Sequence, residues 1–114
     1  MIKIITSPIP KEELKESAHE TFESMTKAVV DVELGIMAAG GSLHADEEAV
    51  LLEQGSKQEN LWGINIYFEK PKNEMVEFDS MINIRPKQNN RGRGVDSEEI
   101  RKKILAVVNR LIHE

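Results

Sequence analysis

Two groups of residues have the types and spacing to do chemistry. The first is the segment 82–94, INIRPKQNNRGRG. Arg85 ends an apolar alternation, and Gln88, Asn89, Asn90 and Arg91 follow with donors suited to phosphate or carboxylate oxygens. Gly92 and Gly94 would let backbone N–H groups turn toward an anion, and a helix start lies just beyond. Asp96, Glu98 and Glu99 oppose that reading with negative charge at the helix start. A solvated loop, with Arg85 paired across strands to Asp31 or Glu33, would use the same residues. The segment lacks the lysine and Ser/Thr ending of a nucleotide-binding phosphate loop.

The second group is His44 and Asp46 in LHADEE, with Asp31 and Glu33 on the strand before it. On a strand, His44 and Asp46 share a face. One neutral imidazole with two or three carboxylates would hold a divalent cation and activate a water for hydrolysis. The set falls short of a usual hydrolytic zinc site, because His19 and His113 lie elsewhere. Ser42 has neither a nucleophile elbow nor an oxyanion partner. Neither group specifies a cofactor.

The elements that must position these residues follow from periodicity. Residues 1–6 read as a short strand. A helix is expected from SPIPKEELKES onward, with Leu14, Ala18, Phe22 and Met25 on one stripe. The period then changes to two: Ala28, Val30 and Val32 on one face, Val29, Asp31 and Glu33 on the other. Gly40-Gly41 reads as a hairpin turn, and EEAVLLEQGS as another short strand. In LWGINIYFE, the side chains of Trp62, Ile64, Ile66 and Phe68 oppose Gly63, Asn65 and Tyr67. EMVEFDSMINIR alternates again, with Val76, Phe78, Ile82 and Ile84 against Glu77, Asp79, Asn83 and Arg85. Pro86 stops the sheet. A last helix begins near Asp96, with Glu99 three residues on, and carries Ile100, Ile104, Val107, Val108 and Leu111 on one stripe.

This order predicts an α+β fold. It is a two-layer sandwich of a mostly antiparallel meander, about 4–5 strands, with an N-terminal and a C-terminal helix packed on one face. The other face would stand open, carrying Asp31, Glu33, Asn65, Tyr67, Asn83 and Arg85.

A chain of 114 residues is the size of one domain, 1–114, with one core. Without cysteine it has no disulfide, thiolate site or thiol nucleophile, which fits a reducing cytoplasm. No stretch is apolar for the roughly 20 residues of a membrane span. The net charge of −5 argues against nucleic acid and anionic lipid. Residues 85–103 do hold seven basic and three acidic side chains, but Tyr67 is the single aromatic on the open face, too few for stacking bases.

Together, DVELGIMAAGGSLHADEEAVLLEQGSKQENLWG and INIRPKQNN resemble a family of small prokaryotic proteins classed as a domain of unknown function. That family pairs GG-x-LHAD with LLE-x-GS-x-Q, then WG, then INIRP and amides. The resemblance covers residues 28–112 and implies a stand-alone cytoplasmic domain with no established activity, cofactor or catalytic residue. The leading expectation is a binding module, monomer or homodimer, for an anionic small molecule or a protein. Asn65, Asn83 and Arg85 would orient the ligand, and Gln88, Asn89, Asn90 and Arg91 would close over it. The alternative is a metal-dependent hydrolase built on Asp31, Glu33, His44 and Asp46.

Overall fold

The computed structural model describes residues 1–18 and 24–113. Its elements in chain order are β1 (Lys3–Ile5), β2 (Ile9–Pro10), α1 (Lys11–Ser17), β3 (Met25–Asp31), β4 (Ile36–Ala39), α2 (His44–Glu53), β5 (Leu61–Tyr67), β6 (Val76–Glu77), α3 (Glu98–Leu111) and β7 (Ile112–His113). Five strands form one sheet in the order β1-β4-β3-β5-β6, and all four pairings are antiparallel. The α+β class and the antiparallel sheet are therefore present. β2 and β7 make a separate parallel pair, Ile9 opposite Ile112.

Several local expectations are corrected. The first helix stops at Ser17, because Ala18 is already extended, and Met25 opens β3 instead of closing a helical stripe. Phe22 and His19 lie outside the described residues. The β3–β4 hairpin turns over residues 32–35, not at Gly40-Gly41. Asp31 closes that turn: its Oδ1 accepts from the N–H groups of Glu33 and Leu34, both at 2.9 Å. Gly35 takes the left-handed conformation (φ 70°) that the turn requires.

The largest correction concerns residues 44–53, expected as a strand and found as helix α2. This helix carries the chain from β4 across β3 to β5, so the sheet is not a simple meander. Both β4 and β5 run antiparallel to β3 and hence parallel to each other. Such a connection needs a crossover, and a helix is the usual solution.

Helix α2 also changes the layering. Leu14 of α1 and Ile104, Val108 and Leu111 of α3 share the main core with Ala28, Val30, Trp62, Ile64 and Ile66. Leu51 of α2 packs on the opposite side of the sheet, with Val29, Ala38 and Leu61. The face expected to be bare is thus partly covered. This explains why β5 is buried from Leu61 through Ile66 and β3 from Ala28 through Asp31.

The final alternating segment ends early as well. β6 contains only Val76 and Glu77, and a 3-10 turn at Met81–Asn83 breaks the period. Val76 and Phe78 pack on the main core, whereas Ile82 packs on the α2 side and Ile84 is exposed. The start of α3 is displaced by one residue from the expected Asp96: the Ser97 hydroxyl accepts from the Ile100 N–H at 3.2 Å.

Candidate functional site

The segment after Ile82 is a self-contained knot of hydrogen bonds. Asn83 is fully buried, and its amide works as a substitute strand on the edge of β5. Its Oδ1 accepts from Gly63 N–H at 2.8 Å, and its Nδ2 donates to the Gly63 carbonyl at 3.0 Å and the Arg93 carbonyl at 2.9 Å. Asn90, also buried, donates to the carbonyls of Asn83, Gly92 and Gly94, and accepts from Asp96 N–H at 2.8 Å. Asn89 sits in the left-handed region (φ 60°) that reverses the chain between Arg85 and Asn90, whose backbones bridge.

Arg85 lies over the Trp62 ring, its guanidinium carbon 4.1 Å from the centroid. It donates to the carbonyls of Gln58 and Leu61 and to the Gln88 side chain, while Gln88 donates to the Glu59 carbonyl. Burial lowers the pKa of Arg85 from the ordinary arginine value. Arg85 therefore ties the loop to the turn before β5, and is paired with neither Asp31 nor Glu33. Of the seven expected ligand donors, Asn83, Arg85, Gln88 and Asn90 are committed to the fold. Asn89 and Arg91 are exposed on the outside of the knot.

The second group is dispersed. Asp31 is fully buried and accepts from the Ser56 hydroxyl at 2.7 Å, past the C-terminal end of α2. His44 opens the same helix at its other end. Asp31 and Glu33 line one hollow of about 260 Å³ with Ser56 and Glu59, and His44 lines another with which that hollow shares no residue. Asp46 is exposed and points away, since i and i+2 of a helix diverge. Among the described residues no group of three His, Asp or Glu side chains is placed to hold a metal ion.

What the fold does bring together lies on the uncovered half of the α2 side. Lys27, Asn65 and Glu77 stand in one cross-strand row on β3, β5 and β6. Asn65 donates to Glu77 at 2.9 Å, and so does the Tyr67 hydroxyl. Those two bonds, Asn65 first, hold the Glu77 carboxyl below the usual range, while Glu77 raises Tyr67. Asn65 is nearly buried, yet its Oδ1 has no partner among the described residues.

Beside this row is a pocket of about 190 Å³, lined by Lys27, His44, Ser80 and Arg93 with Leu43 and Met81 on its apolar wall. The start of α2 forms one edge, and no side chain caps it. Gly63 lies against two of the lining residues: a Cβ there would lie 2.5 Å from the Ser80 Cβ and 3.2 Å from the His44 ring. The Ser80 side chain occupies the space left by the missing Cβ. His44 is 8 % exposed, and its Nε2 stands 2.8 Å from the Ile64 carbonyl oxygen. Burial lowers its pKa below 6.5, outweighing the hydrogen bond to Ile64, and the surrounding charges are Lys27, Asp79 and Arg93. Arg93 also pairs with Asp79 at 2.7 Å.

Sequence reading singled out His44 and Asn65 but not Lys27, Ser80 or Arg93. No local motif links positions 27, 44, 80 and 93; the crossover by α2 and the Asn83 clamp do. The one available signal was the pair of unbroken apolar runs, AVV in β3 and IMAA in β4, which call for cover on both faces.

No helix among the described residues is long and apolar enough to cross a membrane. No curated protein and no solved structure matches the chain. One family, described as "Protein of unknown function (DUF5674)", matches residues 3–111. That span takes in the whole sheet, all three helices and the pocket, and the chain belongs to this family of unknown function.

Proposed function

We propose that the domain binds a small anionic molecule in the pocket between the start of α2 and residues 80–82. The observation that carries this reading is the meeting of Lys27 from β3 and Arg93 from the loop before α3 at one small, otherwise largely apolar pocket. The two come from separate elements and offer N–H donors to an anion at one concavity, although Arg93 also pairs with Asp79 there. The volume of about 190 Å³ is below the roughly 300–1,000 Å³ of drug-sized ligand sites, which favours a metabolite of a few carbons. Asn65, with an unpartnered oxygen in the neighbouring row, stays within the proposed surface. The loop after Arg85 supports the site by holding Ser80 and Arg93 in place: Ser80 N–H donates to the Arg93 carbonyl at 3.0 Å.

Calorimetry with short mono- and dicarboxylates and phosphate esters tests this at low and moderate salt. At least one anion should bind, with affinity falling as salt rises. Arg93→Ala should weaken that binding about tenfold, the loss typical of a charge-assisted hydrogen bond. Arg93 is more than half exposed, so the variant should fold. An Arg93→Ala protein that binds every such anion as tightly as the native one would contradict the assignment, as would a panel without a binder.

A further inference from the structure

His44 carries information about which anions fit. The Ile64 carbonyl oxygen can only accept a hydrogen bond, so the proton shared with it at 2.8 Å must sit on Nε2. With the ring neutral at pH 7, Nδ1 then presents a lone pair. Nδ1 has no hydrogen-bond partner among the described residues, although the residue is 8 % exposed and lines the pocket. Turning the ring over would put Cε1 in place of Nε2 at the Ile64 carbonyl and forfeit that hydrogen bond.

A lone pair beside Lys27 and Arg93 has a chemical consequence. A bare carboxylate drawn to the cations would bring its own lone pairs against Nδ1, which repels them. A ligand with a hydroxyl next to its charged group would donate to Nδ1 while the anion meets the cations. A ligand that displaces water from such an acceptor without pairing it loses free energy, and sites built to pair a ligand hydroxyl discriminate strongly against analogues lacking it.

We propose that the pocket selects hydroxylated small anions, 2-hydroxycarboxylates or hydroxylated phosphate esters, with the ligand hydroxyl donating to Nδ1 of His44. This rests on the anion-binding reading above and adds to it the chemical class of the ligand. His44 acts here as a specificity-determining residue, while Lys27 and Arg93 supply attraction common to all anions.

The test uses matched pairs on the native protein: lactate against propionate, malate against succinate, and glycerol 3-phosphate against propyl phosphate. The hydroxylated member of at least one pair should bind about tenfold tighter or more. Arg93→Ala should weaken both members alike, and His44→Phe should erase the preference while retaining residual anion binding. Equal binding within every pair overturns the proposal and leaves the anion site standing. Absence of binding by all six compounds overturns both. Should His44→Phe fail to fold, a long-range ¹H–¹⁵N spectrum of the native protein decides independently. The Nε2–H tautomer is expected, with the Nδ1 resonance moving on addition of the hydroxylated anion only. A proton found on Nδ1 overturns the proposal.

Discussion

Replacing Asn83 by alanine is expected to destabilise the domain by about 3–5 kcal/mol, a large part of the roughly 5–15 kcal/mol typical of a single domain. Two buried backbone groups lose their partner at once, the Gly63 N–H and the Gly63 carbonyl, and the Arg93 carbonyl keeps only its bond from the Ser80 N–H. Each unpaired group costs about 1–3 kcal/mol, and the site is closed to water on the Asn83 side. Asn83→Asp should be comparably harmful, since it removes both donated bonds and places a carboxylate among carbonyl oxygens. Urea unfolding followed by the single tryptophan, Trp62, which lies on the same strand as Gly63, measures the loss. A change below about 1 kcal/mol would show that the β5 edge finds another partner there.

Glu47→Gln should do the reverse, with an effect that depends on pH. Glu47 is completely buried in the first turn of α2. One oxygen accepts from Gly41 N–H at 2.9 Å and the other has no partner among the described residues. Burial pushes its pKa from 4.5 up to about 9, so the folded protein holds it as a neutral acid. The folded pKa lies above the unfolded one, so its contribution to stability is complete below pH 4.5 and declines as pH rises toward 9. Over that window the unfolded state releases the proton and the folded state keeps it, at about 1.4 kcal/mol per pH unit.

At pH 7 the accumulated loss is on the order of 3 kcal/mol. Glutamine resembles the protonated acid and cannot ionise. The Glu47→Gln protein should therefore match the native one near pH 4.5 and exceed it by about 2–3 kcal/mol at pH 7. The difference should stop growing near pH 9, where the native residue ionises in the fold. Denaturant midpoints of the two proteins across this range give the curve directly. A difference independent of pH would mean that Glu47 is ionised in the folded state.

The same residue shows why part of the fold was illegible in the sequence. Three of the buried positions of α2 are His44, Glu47 and Leu51, spaced three and four apart. Two of them are polar, so the apolar stripe that identifies a helix is broken, and the short run AVLLE reads as a strand. Helix α3 was legible because its buried residues, Ile104, Val107, Val108 and Leu111, are all aliphatic. β5 was legible as a strand from its alternation, but its two faces could not be ranked once an unseen helix covered the second.

Beyond Phe78, counting alternate residues assigned Asn83 and Arg85 to an open face. The turn at Met81–Asn83 cancels that count, and the chain past it is held by side-chain amides whose partners lie 2 to 29 residues away. Amides read from sequence as donors for a ligand; only coordinates show that backbone carbonyls already have them. For the candidate site, His44 and Asn65 were visible as unusual polar residues. The cations beside them come from distant segments and carry no pattern of their own.

The placing of β3 between β4 and β5 bears on the order in which the molecule opens. β3 is seven residues long, paired with β5 along its whole length and with β4 over Ala28–Asp31, where it is buried on both faces. Its amides should be the slowest to exchange with deuterated water, approaching the rate set by global unfolding. β6, two residues long at the margin, should exchange orders of magnitude faster. The parallel contact of Ile9 with Ile112 spans nearly the whole chain, so ring closure there comes after the local β3–β4 hairpin. A partly opened form that keeps β3, β4 and β5 paired while β6 and the β2–β7 clasp let go is the natural first departure from the native state.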